Sequence, residues 1–188
     1  MKKIGITGSI ASGKTTASQI LSGRRGPLFS ADTEVKNLYK NKNFQRLIMK
    51  KFDIRNKVSL KKSIRKKILK SSTNIKILEK IIHPLVRKKM VKFYKKNKSK
   101  KTLFYEIPLL IESKLMKYFD VIIFIKAKKK LRLKRYKLRG GDVKLFNIMN
   151  DKQLADTKKT VFCDHVVTND GNLNFLKKNL LGIIKLYV

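Results

Sequence analysis

One cysteine, twelve acidic residues and no long apolar run are the shortages that first narrow this 188-residue sequence. Cys163 alone cannot form an internal disulfide, and no cluster of cysteine and histidine has metal-site spacing. No apolar stretch reaches the roughly 18–20 residues that span a bilayer, which excludes a transmembrane helix. The start, Met1-Lys2-Lys3-Ile4, has the charge of a secretory leader, but residues 5–14 supply neither an apolar segment nor a cleavage site. A reducing cytosol is the compartment this composition fits, and no membrane partner is expected.

The shortage of acids leaves 48 lysines and arginines almost unopposed, for a formal net charge of +36. Such an excess suits a nucleic-acid binder, whose affinity comes from neutralising phosphates. It equally suits a chain whose composition has drifted toward Lys, Ile and Asn, as an AT-rich genome would impose. The lysines run along nearly every segment, from Lys36 through Lys101 to Lys185, instead of gathering on one face. No zinc module, RNA-binding motif or aromatic-basic ladder accompanies them. Drift is therefore the preferred cause, and a nucleic-acid partner is not expected, although a basic surface still draws in polyphosphate substrates.

What is present in quantity is apolar: 42% of residues are hydrophobic, enough for the core of one domain. Short runs at Ile4-Gly5-Ile6-Thr7, Leu28-Phe29, 102–107, 121–125 and 165–168 are rich in Val, Ile or Phe. Helical patterns separate them, and strands alternating with helices predict a parallel sheet covered on both faces. From Leu60 to about Phe93 the pattern is helical, with Ile75, Leu78, Ile82, Leu85 and Val86 on one stripe. Pro84 is expected to end or kink that stripe near His83. Residues 94–101, nearly all Lys, Asn and Ser, read as an exposed loop, and Leu173, Leu176, Leu180 and Ile184 mark a closing amphipathic helix.

Between the first strand and the first helix stands Gly8-Ser9-Ile10-Ala11-Ser12-Gly13-Lys14-Thr15, a match to G-x-x-x-x-G-K-S/T. Gly8 and Gly13 permit the backbone angles that turn consecutive N–H groups inward on a phosphate. The helix starting near Lys14 adds its positive end. Lys14 is placed to reach the β- and γ-phosphates of ATP, and the Thr15 hydroxyl can ligate Mg²⁺. The motif indicates a nucleotide without choosing a reaction.

A guanine-reading N-K-x-D is missing, which counts against a GTPase. Seventeen residues after Thr15 comes Ser30-Ala31-Asp32, at the end of the run Leu28-Phe29. At the carboxyl end of a strand, Asp32 can accept a proton from an acceptor hydroxyl or help order Mg²⁺; it can equally cap the following helix. Arg135 and Arg139, four apart, either share one helix face as a phosphate clamp or are ordinary solvated charge. His83 is a substrate contact, or a cap or hinge residue before Pro84. Glu112 either orders a basic residue of the site or pairs with a nearby lysine.

The sequence resembles the dephospho-CoA kinases over almost its whole length. Residues 7–16 look like that family's T-G-G-I-G-S-G-K-S-T, and Ser30-Ala31-Asp32 stands where it has D-A-D, whose second Asp is the catalytic base. His83-Pro84 matches its H-P pair, and Ile107-Pro108-Leu109-Leu110-Ile111-Glu112 its I-P-L-L-F-E. Arg135 and Arg139 sit like its R-x-x-x-R, while Gln153, Lys159, Asp164 and Asn169-Asp170-Gly171 echo its closing Q…K…A-D…N-x-G. Four departures stand out. Ser9 and Ala11 replace glycines, Ser30 replaces the first Asp, and Lys36 replaces an Arg, losing a bidentate fork.

The resemblance implies a three-layer α/β P-loop kinase, one domain carrying a helical substrate-binding insert at about 60–100 and a small lid at about 130–150. It implies phosphorylation of the ribose 3′-hydroxyl of dephospho-CoA by ATP with Mg²⁺. Asp32 is then the base, Lys14, Arg135 and Arg139 handle the transferring group, and Gly8, Ala11, Ser12, Gly13, Lys14, Thr15 and Thr16 bind the ATP phosphates, Thr15 with the metal. Lys36, His83, Arg87 and Glu112 become substrate-binding residues. The rival readings are another small-molecule kinase, of the nucleoside monophosphate or shikimate type, and a basic nucleic-acid binder with a vestigial nucleotide site.

Overall fold

Five strands, β1 (Lys2–Gly8), β2 (Leu28–Ser30), β3 (Thr102–Glu106), β4 (Val121–Lys126) and β5 (His165–Thr168), form one sheet in the order β2-β3-β1-β4-β5. Every pairing is parallel. The structure is a computed structural model, and it describes residues 1–55, 60–71 and 73–187. Parallel strands need crossovers, here supplied by helices, and they must be covered on both faces. That is why β1, β3 and β4 are near-continuous apolar runs with almost no exposed position.

One face of the sheet packs Ile4, Ile6, Phe104, Val121, Ile123, Ile125 and Val167 against two helices. Helix α1 (Lys14–Ser22) contributes Ala17 and Leu21, and the closing helix α9 (Leu173–Ile184) contributes Leu176, Leu180 and Ile184. The spacing of three and four along α9 is what brings these side chains onto one stripe. Asn172 starts that helix by accepting a hydrogen bond from the Phe175 N–H at 2.9 Å. Truncating one of these fully buried aliphatics to alanine costs about 2–5 kcal/mol. On the opposite face the Tyr105 ring lies 5.4 Å from Phe93 and 5.3 Å from Phe119, centroid to centroid. Helices thus cover both faces, as the alternation of strands and helices predicts.

Two compact units are present: Met1–Ala31 together with Phe93–Val188, and Asp32–Lys92. The second is helical. Its elements are α2 (Ala31–Leu38, from Asp32 on), α3 (Lys42–Phe52), α4 (Leu60–Lys70) and most of α5 (Thr73–Lys96). Phe44, Ile48, Phe52, Ile54, Leu60, Ile64 and Ile82 form its own core, with Leu78, Leu85 and Val86 packed against them. Helix α3 begins at Asn41, whose side chain accepts from the Phe44 N–H at 3.0 Å.

One sequence expectation is narrowed here and one is corrected. Helix α5 does not end at Pro84: it runs unbroken from Thr73 to Lys96. Proline costs a helix interior one hydrogen bond and a clash, about 3 kcal/mol, but the apolar stripe on both sides of Pro84 is packed, and that packing outweighs the local penalty. The stretch expected to be a loop from Tyr94 is helical as far as Lys96, since lysine is a good helix former and only its solvation resembles a loop. Among the described residues no helix is long and apolar enough to cross a membrane.

Candidate active site

The phosphate loop leaves the carboxyl end of β1, the middle strand, where crevices in open parallel sheets take their ligands. Gly8 and Gly13 are glycines for steric reasons visible in the fold. A Cβ on Gly8 would overlap the Ile125 carbonyl oxygen of the neighbouring strand. Gly13 has φ +97°, and a Cβ there would overlap the side-chain amide nitrogen of Asn169. That amide donates to the Ser12 carbonyl at 2.8 Å and so fixes the last turn before α1. Ala11, where the resemblance has glycine, carries φ +58°, a left-handed conformation that costs a side chain about 1–2 kcal/mol.

Lys14 is buried, and its Nζ donates to the Gly8 and Ser9 carbonyls, both at 3.0 Å. The ammonium is thereby folded back over the loop it serves, with its stem held inside the protein. Thr15 follows, its hydroxyl donating to Glu106 Oε1 at 2.6 Å. Glu106 ends β3 beside β1, in register with Ile6 on one side and Ser30 on the other. It is 1% exposed, and its Oε2 has no hydrogen-bond partner. A buried carboxylate oxygen left open beside a threonine hydroxyl is a hard oxygen donor set, the kind Mg²⁺ prefers. Sequence reasoning missed Glu106 because it lies inside an apolar run. The available signal was an acid closing a strand in a chain with only twelve.

The outer side of the loop is held by residues after β4. The Ser9 hydroxyl donates to Asp156, and the Ile10 N–H donates to Gln153 Oε1 at 2.9 Å. Arg132, in α6 (Lys129–Leu138), donates from Nη1 to the Ile10 carbonyl at 3.3 Å and to Asn150 Oδ1 at 3.0 Å. Arg132 was another residue the sequence did not single out, because α6 is basic nearly throughout. Burial pulls its guanidinium below the ordinary arginine value, and the charge of Asp156 acts in the opposite direction.

The other expected residues fall in different places. Arg135 lies in α6, half-buried, with Nη1 buried and lacking a hydrogen-bond partner. Arg139 is exposed and is the residue at which α6 ends. Glu112 pairs with a lysine: its Oε1 meets Lys159 Nζ at 2.9 Å and accepts from the Leu154 N–H at 3.2 Å. Lys159 is fully buried, its ammonium 5.8 Å from the centre of the Phe124 ring. Thr16 sits in the first turn of α1.

Asp32, Lys36, His83 and Arg87 belong to the second unit. Asp32 is the second residue of α2, directly after β2 ends, and Lys36 is exposed in the last turn of that helix. His83 and Arg87 both lie inside α5, His83 half-buried and Arg87 exposed, so His83 is an interior helical residue and not a cap. Among the described residues no group of three or more His, Cys, Asp or Glu could hold a metal ion.

A model of the dephospho-CoA kinase family matches residues 2–174. The dephospho-CoA kinase of Rickettsia typhi is 33% identical over 186 residues, covering 98% of this chain and 97% of that protein. Among solved structures, a Thermus thermophilus protein superposes with a TM-score of 0.79 at 22% identity, covering 100% of this chain and 98% of its own. The dephospho-CoA kinase of Campylobacter jejuni gives 0.65 at 24% identity, covering 99% and 97%. The two superpositions bear on the fold. The family match, spanning the phosphate loop, β3 with Glu106, and the segment that holds the loop from outside, bears on the chemistry, and by it this chain belongs to the dephospho-CoA kinase family.

Proposed function

We propose that this kinase transfers the γ-phosphoryl group of ATP to the ribose 3′-hydroxyl of dephospho-CoA, giving coenzyme A. The observation that carries the reading is the phosphate loop itself, with Lys14 folded over the Gly8 and Ser9 carbonyls and Thr15 bonded to Glu106, in a chain of this family. Gly8, Ala11, Ser12, Gly13, Thr15 and Thr16 bind the ATP phosphates through backbone N–H groups and hydroxyls at the positive end of α1. Lys14 balances charge on the β- and γ-phosphates. Thr15 and Glu106 would hold Mg²⁺, which supplies charge neutralisation between the phosphates when bound.

Asp32 accepts the proton of the acceptor hydroxyl. In support, it lies two residues along the chain from Ser30, and Ser30 is paired in register with Glu106. Arg135 and Arg139, in a lid at about 130–150, close over the transferring group; the unpartnered Nη1 of Arg135 is a donor still without an acceptor. Closure also keeps water from taking the phosphoryl group. A helical insert at about 60–100, with Lys36, His83 and Arg87, meets the acceptor. Residues 32–92 hold 20 lysines and arginines against four acids, which suits a diphosphate. Glu112 acts through Lys159. The single cysteine and the ATP requirement suit the cytosol.

An ADP-release assay with ATP, Mg²⁺ and a panel of acceptors tests this. Dephospho-CoA should exceed AMP by about 100-fold or more in kcat/KM, or about 2.7 kcal/mol of differential transition-state binding. The remote pantetheine arm helps orient the reacting hydroxyl, so part of the advantage should appear in kcat. Lys14→Ala should abolish transfer while leaving the fold intact. Equal rates with AMP would move the reading to a nucleoside monophosphate kinase.

A further inference from the structure

We propose that Arg132 is a positioning residue for the phosphate loop, coupling the loop's conformation to the segment α6, α7 (Val143–Asp151) and α8 (Asp156–Thr160). The inference rests on ATP being bound by that loop. Helix α6 carries six cations. Lys129, Lys130, Lys134 and Lys137 are exposed and Arg135 is half-buried, while Arg132 alone is turned fully inward, 6% exposed. A buried guanidinium is costly unless its N–H groups are used, and this one uses them on three elements. Nε donates to the Ala127 carbonyl at 3.0 Å, and Nη1 donates to the Ile10 carbonyl and to Asn150 Oδ1. The Phe146 ring, 5.9 Å from the guanidinium carbon, packs on it.

The Ile10 carbonyl is thus held by Arg132 while the Ile10 N–H is held by Gln153. Both polar groups of one loop residue are taken by partners outside the loop, on a segment more than 120 residues away in sequence. The next residue, Ala11, is the one in the left-handed region. A strained backbone persists only where its surroundings over-determine it, and the grip on Ile10 supplies that constraint. Arg132 reaches the loop through the Ile10 carbonyl, so its effect on a phosphate passes through the loop. ATP binding should feel it, and acceptor binding should not.

The test measures ATP affinity by calorimetric titration, and steady-state KM for each substrate, in Arg132→Gln, Arg132→Lys and Gln153→Met. Arg132→Gln should weaken ATP by about 10-fold, in line with the cost of a small misplacement of reacting groups, with KM for dephospho-CoA within about twofold of wild type. Arg132→Lys keeps the charge and can reach one carbonyl, so it should recover part of the loss. Gln153→Met releases Ile10 from the other side and should weaken ATP by about threefold, which keeps the test open if Arg132→Gln fails to fold. Wild-type ATP affinity in the folded variants, with only thermal stability reduced, would overturn the proposal. A wild-type enzyme that binds ATP yet ignores dephospho-CoA would sink the functional reading instead, and the ATP titrations would still judge Arg132.

Discussion

Replacing Gly13 with alanine perturbs the phosphate loop at the point where its geometry is tightest. Two costs follow from the structure. The residue has φ +97°, and holding a side chain in left-handed backbone costs about 1–2 kcal/mol. The new Cβ would also displace the Asn169 amide, breaking its 2.8 Å bond and leaving the buried Ser12 carbonyl unpaired, at about 1–2 kcal/mol. Together they destabilise the chain by about 3 kcal/mol, or about 6–12 °C in Tm for a protein of this length. Asn169→Ala alone should cost about 1.5 kcal/mol, the bond only. In the double variant the clash is gone and the bond is already lost, so its cost should match that of Gly13→Ala. The coupling is then about 1.5 kcal/mol, well above the additive limit. Thermal and urea denaturation of the four proteins measures it. Strict additivity, with the double variant about 4.5 kcal/mol below wild type, would show that Asn169 is not what Gly13 leaves room for.

Asp32→Asn should lower kcat by about 100-fold or more, the usual contribution of a general base, with ATP affinity little changed; normal kcat at saturating ATP with collapsed ATP affinity would make Asp32 a metal-site residue. Glu106→Gln keeps an oxygen for the Thr15 hydroxyl but removes the charge. The Mg²⁺ concentration giving half-maximal rate should rise about tenfold, as when a metal's supporting carboxylate is lost, and an unchanged requirement would leave Glu106 a purely orienting role. Cys163 is held protonated by burial first, and then by the charge of Asp164, which together push its thiol up to about 11. Native protein at pH 9.5 should therefore resist alkylation that the urea-unfolded chain undergoes readily. The unfolded thiol loses its proton first, so the stability this group contributes falls as pH rises from about 9 through 11. Fast native alkylation would contradict that environment.

The sheet was legible from the sequence because a parallel strand buried on both faces leaves a continuous apolar run, and β1, β3 and β4 each do so within a residue or two. The phosphate loop was legible because its chemistry is local: eight consecutive residues carry the donors, the lysine and the hydroxyl. Pro84 does not end α5, and the helix was misread beyond Tyr94, because both signals are local, whereas what keeps the helix whole is packing of its stripe against α3 and α4.

The sequence by itself determined the nucleotide-binding loop and the order of strands along the chain, since both rest on short-range spacing and on the hydrophobic period. Only the tertiary structure decided which of many cations and few acids are structural. In a chain with 48 lysines and arginines a basic residue is uninformative until burial is known. Burial depends on elements distant in sequence: β1 and β3 for Glu106, and the Ile10 carbonyl with Asn150 for Arg132. Desolvation is the physical reason. A charge taken out of water persists only where the fold supplies its partners, and those partners are invisible in a linear pattern.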